Sequence, residues 1–205
     1  MTTSSTETIR AFMAARPDDA ALAELIRVQR ELKKSLASSG LRIKWTDPET
    51  FHITLLFLGD IPADRVGQIF QTLEKTAENI PNIGTSLNGL GLFKKSGALW
   101  VGIDAPPELL ELHKKLAVAL EIEPGRFHAH FTLGRIKAGR VEDEFFQTLP
   151  FHFVSLPAHQ SQPLSATQKD VKTIPFDIAS IELVKSELLQ QGARHAVLGV
   201  IPLSG

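Results

Sequence analysis

The chain carries the same short pattern, His-x-Thr-Leu, in two places, and this repetition limits the folds that it can adopt. The first copy is His52-Ile53-Thr54-Leu55 and the second is His130-Phe131-Thr132-Leu133. Both copies lie in apolar, β-prone stretches, which predicts two buried strands. Successive side chains of a strand alternate between its faces, so each histidine shares a face with its threonine. In the first strand the opposite face, which includes Phe57, is expected to pack into a core.

Sequence periodicity around the two copies predicts a mixture of helices and strands. Helices are expected to begin near Asp18, Val66 and Pro107, where apolar residues recur at helical spacing. A shorter helix is expected over 141–148. Strands are expected in six further segments of the chain: 8–14, 41–45, 84–93, 98–103, 176–185 and 196–201.

Strands and helices are interleaved in both halves of the chain, and each half contains one His-x-Thr-Leu motif. We interpret this arrangement as an ancestral duplication, which predicts an α+β fold with two similar lobes that face each other. The two motif strands would then line the groove between the lobes. We expect residues 1–205 to form a single bilobal domain.

The segment 150–173 does not fit this pattern. It contains prolines, lacks clear periodicity and is longer than most unstructured loops of compact domains. Phe151, Phe153 and Leu156 need cover, so part of the segment is expected to pack as an edge strand. We interpret the segment as a loop insertion that borders the groove and affects the choice of substrate.

The composition is that of an ordinary globular protein and argues against several functional classes. Apolar residues make up 43% of the chain and charged residues 22%, which is enough to bury a core. The formal net charge of −1 argues against a general polyanion binder, so a nucleic-acid substrate would be held locally. The absence of cysteine excludes disulfides, thiolate metal sites and a cysteine nucleophile. The polar stretch 1–8 lacks a secretory signal and no apolar run suits a membrane helix, so we expect a cytoplasmic monomer without a membrane partner.

Two histidines and two threonines in this pattern suit phosphoryl chemistry. An imidazole titrates near about pH 6.5, so one ring can take a proton from a nucleophile while a second protonates a leaving oxygen. Thr54 and Thr132 can donate hydrogen bonds to phosphate oxygens, and Arg135 can neutralise them. We therefore predict His52 and His130 as catalytic residues. The chemistry requires no metal and no cofactor.

Other functions remain open from the residues alone. His128 and His130 share a strand face and could form a His-x-His metal site, although the sequence offers no third ligand. An RNA-binding module that stacks bases on aromatic strand residues is a second alternative, and binding without turnover would favour it. That module requires exposed aromatic residues, whereas the chain has no tyrosine and many phenylalanines at core positions. His113, which lies among lysines on a helix, is expected to be solvated.

The motifs and their flanking sequences resemble the two-histidine (2H) phosphoesterase superfamily, which is defined by two His-x-Thr/Ser motifs, one in each lobe. Within it, the chain is similar to the bacterial and archaeal RNA 2′,3′-cyclic phosphodiesterases, historically called 2′-5′ RNA ligases. The similarity covers nearly the whole chain. The segments that carry it are the opening strand 9–14, the motif regions 45–59 and 128–135, and a C-terminal signature at 186–188 and 192–194.

The resemblance implies a bilobal fold with an antiparallel sheet and flanking helices in each lobe and an active-site groove between them. It also implies metal-independent hydrolysis of an RNA-terminal 2′,3′-cyclic phosphate to a 2′-phosphate. His52 would protonate the departing 3′ oxygen and His130 would activate water. Thr54, Thr132 and Arg135 would hold the phosphate. RNA ends or small cyclic-phosphate nucleotides are the expected substrates, with 2′-5′ oligonucleotides and ADP-ribose cyclic phosphate as alternatives.

Some features depart from the family pattern. His195 stands where the family often has tyrosine, and the segment 150–173 is longer than usual. Arg135 lies an odd number of positions after His130, so an unbroken strand would turn it away from the groove. We therefore expect the strand to end or to bulge at Gly134.

Overall fold

The computed structural model describes residues 7–139, 153–156, 173–189 and 192–205, and within them it contains three α-helices and ten β-strands. The helices are α1 (Asp19–Ser35), α2 (Val66–Ala77) and α3 (Pro107–Ala119). The strands are β1 (Thr8–Ala15), β2 (Arg42–Trp45), β3 (Ile53–Pro62), β4 (Ile83–Phe93), β5 (Ala98–Ile103), β6 (His130–Ala138), β7 (Phe153–Leu156), β8 (Pro175–Ile178), β9 (Ser180–Leu189) and β10 (Gly192–Pro202). The helix expected at 141–148 lies outside the described residues.

The three helices begin where the sequence carries helix-start signals. The side chain of Asp18 caps α1 by accepting a hydrogen bond from the Ala21 amide over 2.8 Å. Pro107 occupies the first position of α3, where its missing N–H is not needed. The predicted helices near Asp18, Val66 and Pro107 are therefore confirmed. None of the helices in the described part of the chain is long and apolar enough to cross a membrane.

Most strands join one curled sheet, in the order β10-β9-β1-β3-β6-β5-β4-β7. Two further strands attach to this path, since β2 pairs with β6 and β8 pairs with β4. All pairings are antiparallel except that of β4 with β7, which lies at the end of the path. The edge strand expected within 150–173 is thus confirmed for Phe153–Leu156, while 150–152 and 157–172 lie outside the described residues.

The two motif strands are neighbours at the centre of this sheet. β3 and β6 meet in an antiparallel register at one residue pair, Ile53 opposite Phe131. On one side of this junction lie β1, β9 and β10, and on the other lie β5, β4 and β7. The predicted α+β architecture, with one motif in each half, is confirmed.

The two faces of the sheet are packed differently. The main hydrophobic core lies between one face and the helices, and it includes Leu25 of α1, Leu73 of α2 and Leu112 of α3. A second small cluster, formed by Phe12, Ala14 and Val184, lies apart from that core. The site described next lies on the face of the sheet that carries this second cluster.

Candidate active site

The ring of His52 is oriented by the turn that precedes β3. A short 3₁₀ turn, Pro48–Thr50, is capped by Asp47, whose side chain accepts a hydrogen bond from the Glu49 amide over 3.1 Å. This turn directs the Thr50 carbonyl oxygen toward His52, which donates to it from Nδ1 over 2.8 Å. The backbone itself therefore fixes the first motif imidazole.

His130 is held in the same way. Its Nδ1 donates to the carbonyl oxygen of His128, again two residues upstream, over 2.6 Å. A carbonyl oxygen can only accept, so Nδ1 carries the hydrogen in both His52 and His130. In the neutral rings Nε2 therefore holds the lone pair, and neither Nε2 bonds to a described residue. Each ring thus keeps one nitrogen available for proton exchange.

Aromatic side chains surround both imidazoles. The ring of His52 lies 5.0 Å from that of Phe12 and 5.2 Å from that of His195, centroid to centroid. The ring of His130 lies 5.0 Å from that of Phe93 in an edge-on arrangement. The rings exclude water from one side of each imidazole.

Burial makes protonation of His52 unfavourable. It lowers the pKa of His52 from about 6.5 to about 4, although the hydrogen bond to the Thr50 carbonyl opposes the shift. The charges of His195, Arg16 and His130 lower this pKa further. His130, on the neighbouring motif strand, is thus one of three groups whose charge disfavours the His52 cation.

The second motif histidine experiences the same influences. Burial lowers the pKa of His130, the hydrogen bond to the His128 carbonyl opposes the shift, and the charges of His128 and Arg135 lower it. Both motif imidazoles are therefore neutral near pH 7. An anionic ligand between them would favour their protonated forms.

A β-bulge interrupts the second motif strand at Leu133. Thr132 lies opposite Trp100, whereas Arg135, three positions further along β6, lies opposite Ala98, only two positions along β5. The extra residue reverses the alternation of side chains, so Arg135 returns to the face of Thr132. The predicted interruption at Gly134 is confirmed as a bulge one residue earlier.

The first motif strand has the same bulge, at Leu55. Thr54 lies opposite Ala14, whereas Phe57, three positions further along β3, lies opposite Phe12, two positions along β1. Phe57 is therefore on the face of Thr54, and its side chain is 67% exposed. The prediction that Phe57 packs into the core was wrong, because it assumed an unbroken alternation.

The structure brings the predicted site residues to one face of the sheet. An antiparallel register continued by one residue from Ile53 and Phe131 would put Thr54 beside His130 and His52 beside Thr132. Both threonines are partly buried beside their motif histidines. Arg135 lies on the same face and donates from Nη1 to the Ser96 carbonyl oxygen over 2.8 Å, and among the described residues its other N–H groups have no further partner.

The sequence did not identify two side chains that adjoin His52. His195 of β10 contacts the rings of His52 and Phe12. Arg16 donates to the Glu182 carboxylate over 2.9 Å and to the Glu49 carbonyl over 2.7 Å. Neither residue lies in a motif. β9 pairs with both β10 and β1, and these pairings are not visible in the sequence. The only signal was the expectation from the sequence that His195 departs from the pattern of the resembled family.

Two other histidine predictions can be compared with the structure. His113 was expected to be solvated, which is wrong: it is 7% exposed and stacks on Phe127 at 4.8 Å. Its position, four residues after Leu109 and three before Leu116, places it on the buried face of α3. Within the described residues no group of three or more His, Cys, Asp or Glu side chains is arranged to hold a metal ion.

A cavity of about 900 Å³ lies elsewhere and contains none of the motif residues. Its lining includes three carboxylates, those of Asp18, Asp104 and Asp177. Asp104 is already bonded to Ser86 and Asn88 within it. An acidic cavity of this kind repels a phosphate, so the histidine face is the better candidate for the active site.

Comparisons with known proteins indicate the family of this chain. A family model described as LigT like Phosphoesterase matches residues 16–100. A protein of Methanothermobacter thermautotrophicus named RNA 2′,3′-cyclic phosphodiesterase is 27% identical over 202 residues, which cover 95% of this chain and 99% of the relative. A protein of the same name from Archaeoglobus fulgidus is 31% identical over 136 residues, which cover 63% of this chain and 73% of the relative.

A solved structure supports the fold. The crystal structure of E. coli LigT complexed with 3′-AMP aligns with a TM-score of 0.68 at 18% identity, over 97% of this chain and 100% of that chain. This likeness extends along the whole of both chains, so the two-lobed fold expected from the motif repeat is confirmed. The relative from A. fulgidus, with the matching family model, shows that the chain belongs to the LigT-like phosphoesterase family.

Proposed function

We propose that this protein hydrolyses an RNA-terminal 2′,3′-cyclic phosphate to a 2′-phosphate by general acid–base catalysis with His52 and His130, without a metal or cofactor. The observation that carries the proposal is the matched geometry of the two imidazoles. Each donates from Nδ1 to a carbonyl two residues upstream and keeps Nε2 available. Two imidazoles of this kind on one sheet face can take and give a proton in one step.

The step is an in-line displacement at phosphorus. Nε2 of neutral His130 accepts a proton from water as the water oxygen attacks the phosphorus. The bond from phosphorus to the 3′ oxygen breaks, and the 3′ oxygen takes the proton carried by Nε2 of His52. The products are a 3′ hydroxyl and a 2′-phosphate, so each imidazole ends in the protonation state opposite to its initial one. Solvent then restores both.

Three side chains would bind the phosphate during the displacement at phosphorus. The hydroxyls of Thr54 and Thr132 donate to the non-bridging oxygens, each beside one histidine. Arg135 adds a positive charge on the same face. These donors stabilise the additional negative charge that develops in the transition state, which is how such residues accelerate phosphoryl transfer.

A nucleoside fits the remaining surface of the site. Phe57 is the residue of the first motif that corresponds to Arg135, and its exposed ring lies on the same face as His52 and Thr54. An exposed aromatic ring beside a phosphate site suits the stacking of a base, which contributes about 1–3 kcal/mol per base. The named activity of the relatives from M. thermautotrophicus and A. fulgidus points to the same substrate class.

The direct test uses a short RNA that ends in a 2′,3′-cyclic phosphate, with the 2′- and 3′-phosphate products resolved and EDTA present in parallel reactions. The 2′-phosphate should form at the same rate with and without EDTA. His52→Ala and His130→Ala should each lower kcat by about 10²–10⁴. His128→Ala, a histidine on the same segment, is the matched control and should cost far less. Full activity in either motif variant would contradict the proposal.

A sulfur substitution separates the roles of the two histidines. A cyclic phosphorothiolate with sulfur in place of the 3′ oxygen releases a thiolate, which leaves without general acid catalysis. This substrate should partly rescue His52→Ala but not His130→Ala, because only the task of the acid becomes easier. Equal rescue of both variants would mean that the acid and base roles are wrongly assigned.

The alternatives give different outcomes in the same assays. A panel from cyclic mononucleotide to tRNA half, with 2′-5′ oligonucleotides and ADP-ribose cyclic phosphate, distinguishes RNA ends from other substrates of two-histidine enzymes. Binding of RNA without turnover would favour a binding module. Loss of activity in EDTA together with loss in His128→Ala would favour a metal site at His128 and His130. We further propose that the protein is cytoplasmic. We also propose that residues 1–205 form one bilobal domain and that the protein is monomeric, which sedimentation of the purified chain can test.

A further inference from the structure

The bulged leucine of each motif strand is held by a buried side chain that comes from a helix. His113 of α3 donates from Nδ1 to the Leu55 carbonyl oxygen over 2.8 Å. Gln29 of α1 donates from Nε2 to the Leu133 carbonyl oxygen over 2.9 Å. A bulge takes a residue out of the regular pairing of the sheet. The Leu133 carbonyl also accepts from the Thr46 amide over 2.9 Å. The same bulged residue of each motif is therefore bonded to a helix side chain.

These two donors are unusual because they are buried. Gln29 is 2% exposed and His113 is 7% exposed, and in the described part of the chain only Glu24 is a further buried polar or charged residue. A buried polar group is unfavourable unless it is hydrogen-bonded. Gln29 meets that requirement, since Nε2 also donates to the Thr46 carbonyl over 2.7 Å and Oε1 accepts from Lys33 over 2.9 Å. Its amide is thus fixed at three points.

The two contacts cross between the halves of the protein. α1 precedes the first motif in the chain, yet its Gln29 holds the bulge of the second motif. α3 precedes the second motif, yet its His113 holds the bulge of the first. The motif strands pair directly only at Ile53 and Phe131. α3 also packs against β3, so the two contacts bond each motif strand to a helix from the other half of the sequence.

We propose that Gln29 and His113 are positioning residues for the hydrolysis proposed above, on which this inference rests. Each holds the bulge that turns the residue five positions after a motif histidine onto the reactive face. His113 acts through the first bulge on Phe57, and Gln29 acts through the second bulge on Arg135. Neither side chain touches the substrate.

Substitutions can remove each donor while the buried volume is kept. Gln29→Met retains the length of the side chain, and His113→Phe retains the stack on Phe127. His113→Asn restores a donor, because its amide nitrogen occupies nearly the same place as Nδ1. Leu116→Ala is the matched control, since Leu116 is fully buried in the main core on the same helix as His113.

Gln29→Met and His113→Phe should lower kcat by about 10- to 100-fold, the effect expected when catalytic groups are misplaced by a fraction of an ångström to 1 Å. His113→Asn should recover most of that loss. Leu116→Ala should lower the melting temperature without changing kcat of the folded protein. A loss of kcat in Leu116→Ala equal to that in His113→Phe would mean that general loosening of the core is responsible.

Double-mutant cycles test the crossed arrangement itself. His113→Phe should be non-additive with Phe57→Ala but additive with Arg135→Ala, because His113 acts on the first bulge only. Gln29→Met should show the reverse pattern, non-additive with Arg135→Ala and additive with Phe57→Ala. Additivity in all four combinations would overturn the proposal.

Amide hydrogen exchange distinguishes this inference from the proposed function. If the unmodified protein fails to open any cyclic phosphate, the proposed function fails, and the two contacts are then judged by exchange alone. His113→Phe should accelerate exchange at 54–57 and leave 132–135 unchanged, and Gln29→Met should do the opposite. Equal acceleration at both bulges, or none at either, would refute the positioning role.

Discussion

The low pKa of His52 should make the stability of this protein depend on pH in a way that one substitution removes. Above about pH 6.5 neither the folded nor the unfolded chain carries a proton on this ring. Below that value the unfolded chain takes up a proton, whereas the folded chain does so only as the pH approaches the native pKa of about 4. The contribution of His52 to stability is therefore intact above about pH 6.5 and is lost as the pH falls through this window.

The expected change in the free energy of unfolding follows from the difference between the unfolded and native pKa values of His52. Each pH unit between the two pKa values lowers the free energy of unfolding by about 1.4 kcal/mol. The loss reaches at most about 3 kcal/mol by pH 4, because His52 is only partly buried and solvent screens the remainder. His52→Asn removes the titration and keeps an amide donor close to the position of Nδ1, so the bond to the Thr50 carbonyl can persist.

Urea unfolding between pH 4 and pH 7.5 measures the effect. Carboxylates and the other histidines titrate in both proteins and cancel in the difference between the parent and His52→Asn. We expect this difference to be constant above about pH 6.5 and to change by up to about 3 kcal/mol toward pH 4, with the variant less sensitive to acid. An NMR titration should give a midpoint near 4 for His52. A difference that stays constant over the whole range would refute the account of a buried, neutral His52.

Three further predictions concern the surroundings of the site. His195→Gln should raise the pKa of His52 and move the alkaline limb of kcat/KM to higher pH, because the charge of His195 lowers that pKa and the acid must hold its proton to act; pH–rate profiles measure the shift. Phe57→Ala should raise KM for a nucleotide by about fivefold or more, from the loss of base stacking, without lowering the melting temperature. Gly91→Ala would place a Cβ within the Trp100 ring and should destabilise the protein by about 1–3 kcal/mol, as measured by urea unfolding.

Much of the fold could be predicted because its elements carry local signals. The start of α1 follows from the capping carboxylate of Asp18, and that of α3 from a proline at the first helical position. The strand expected over 176–185 is two strands, β8 and β9, separated at Ala179. Each pairs with a different partner, β8 with β4 and β9 with β1. Pairing of that kind depends on residues distant in the chain, so periodicity could not reveal it.

The motif residues of the site could be predicted, but the support for them could not. The bulge in the second motif strand could be predicted because Arg135, which is expected to bind phosphate, lies an odd number of positions after His130. Phe57 lies the same number of positions after His52, so the same argument would have placed Phe57 on the reactive face. Gln29 and His113 are buried, and the helical spacing of the apolar residues around them is enough to place both on the buried faces of their helices. What each one bonds to is a carbonyl in the opposite half of the chain, and no pattern in the sequence encodes that pairing.

The two halves of the site are alike in backbone but differ in the charged side chains around each histidine, and in the proposed mechanism these charges decide which ring serves as the base. Phe57 and Arg135 occupy equivalent positions after equivalent bulges, one apolar and one cationic. A phosphate bound between the histidines would raise the pKa of both rings, yet the charge of His130 lowers the pKa of His52, so a second proton would be disfavoured once one imidazole holds the first. Arg135 lowers the pKa of His130, which would favour that ring as the base. Arg16 and His195 lower the pKa of His52, which opposes its role as the acid. The proposed assignment of acid and base therefore requires that a bound phosphate outweigh Arg16 and His195 at His52, and His195→Gln tests this balance.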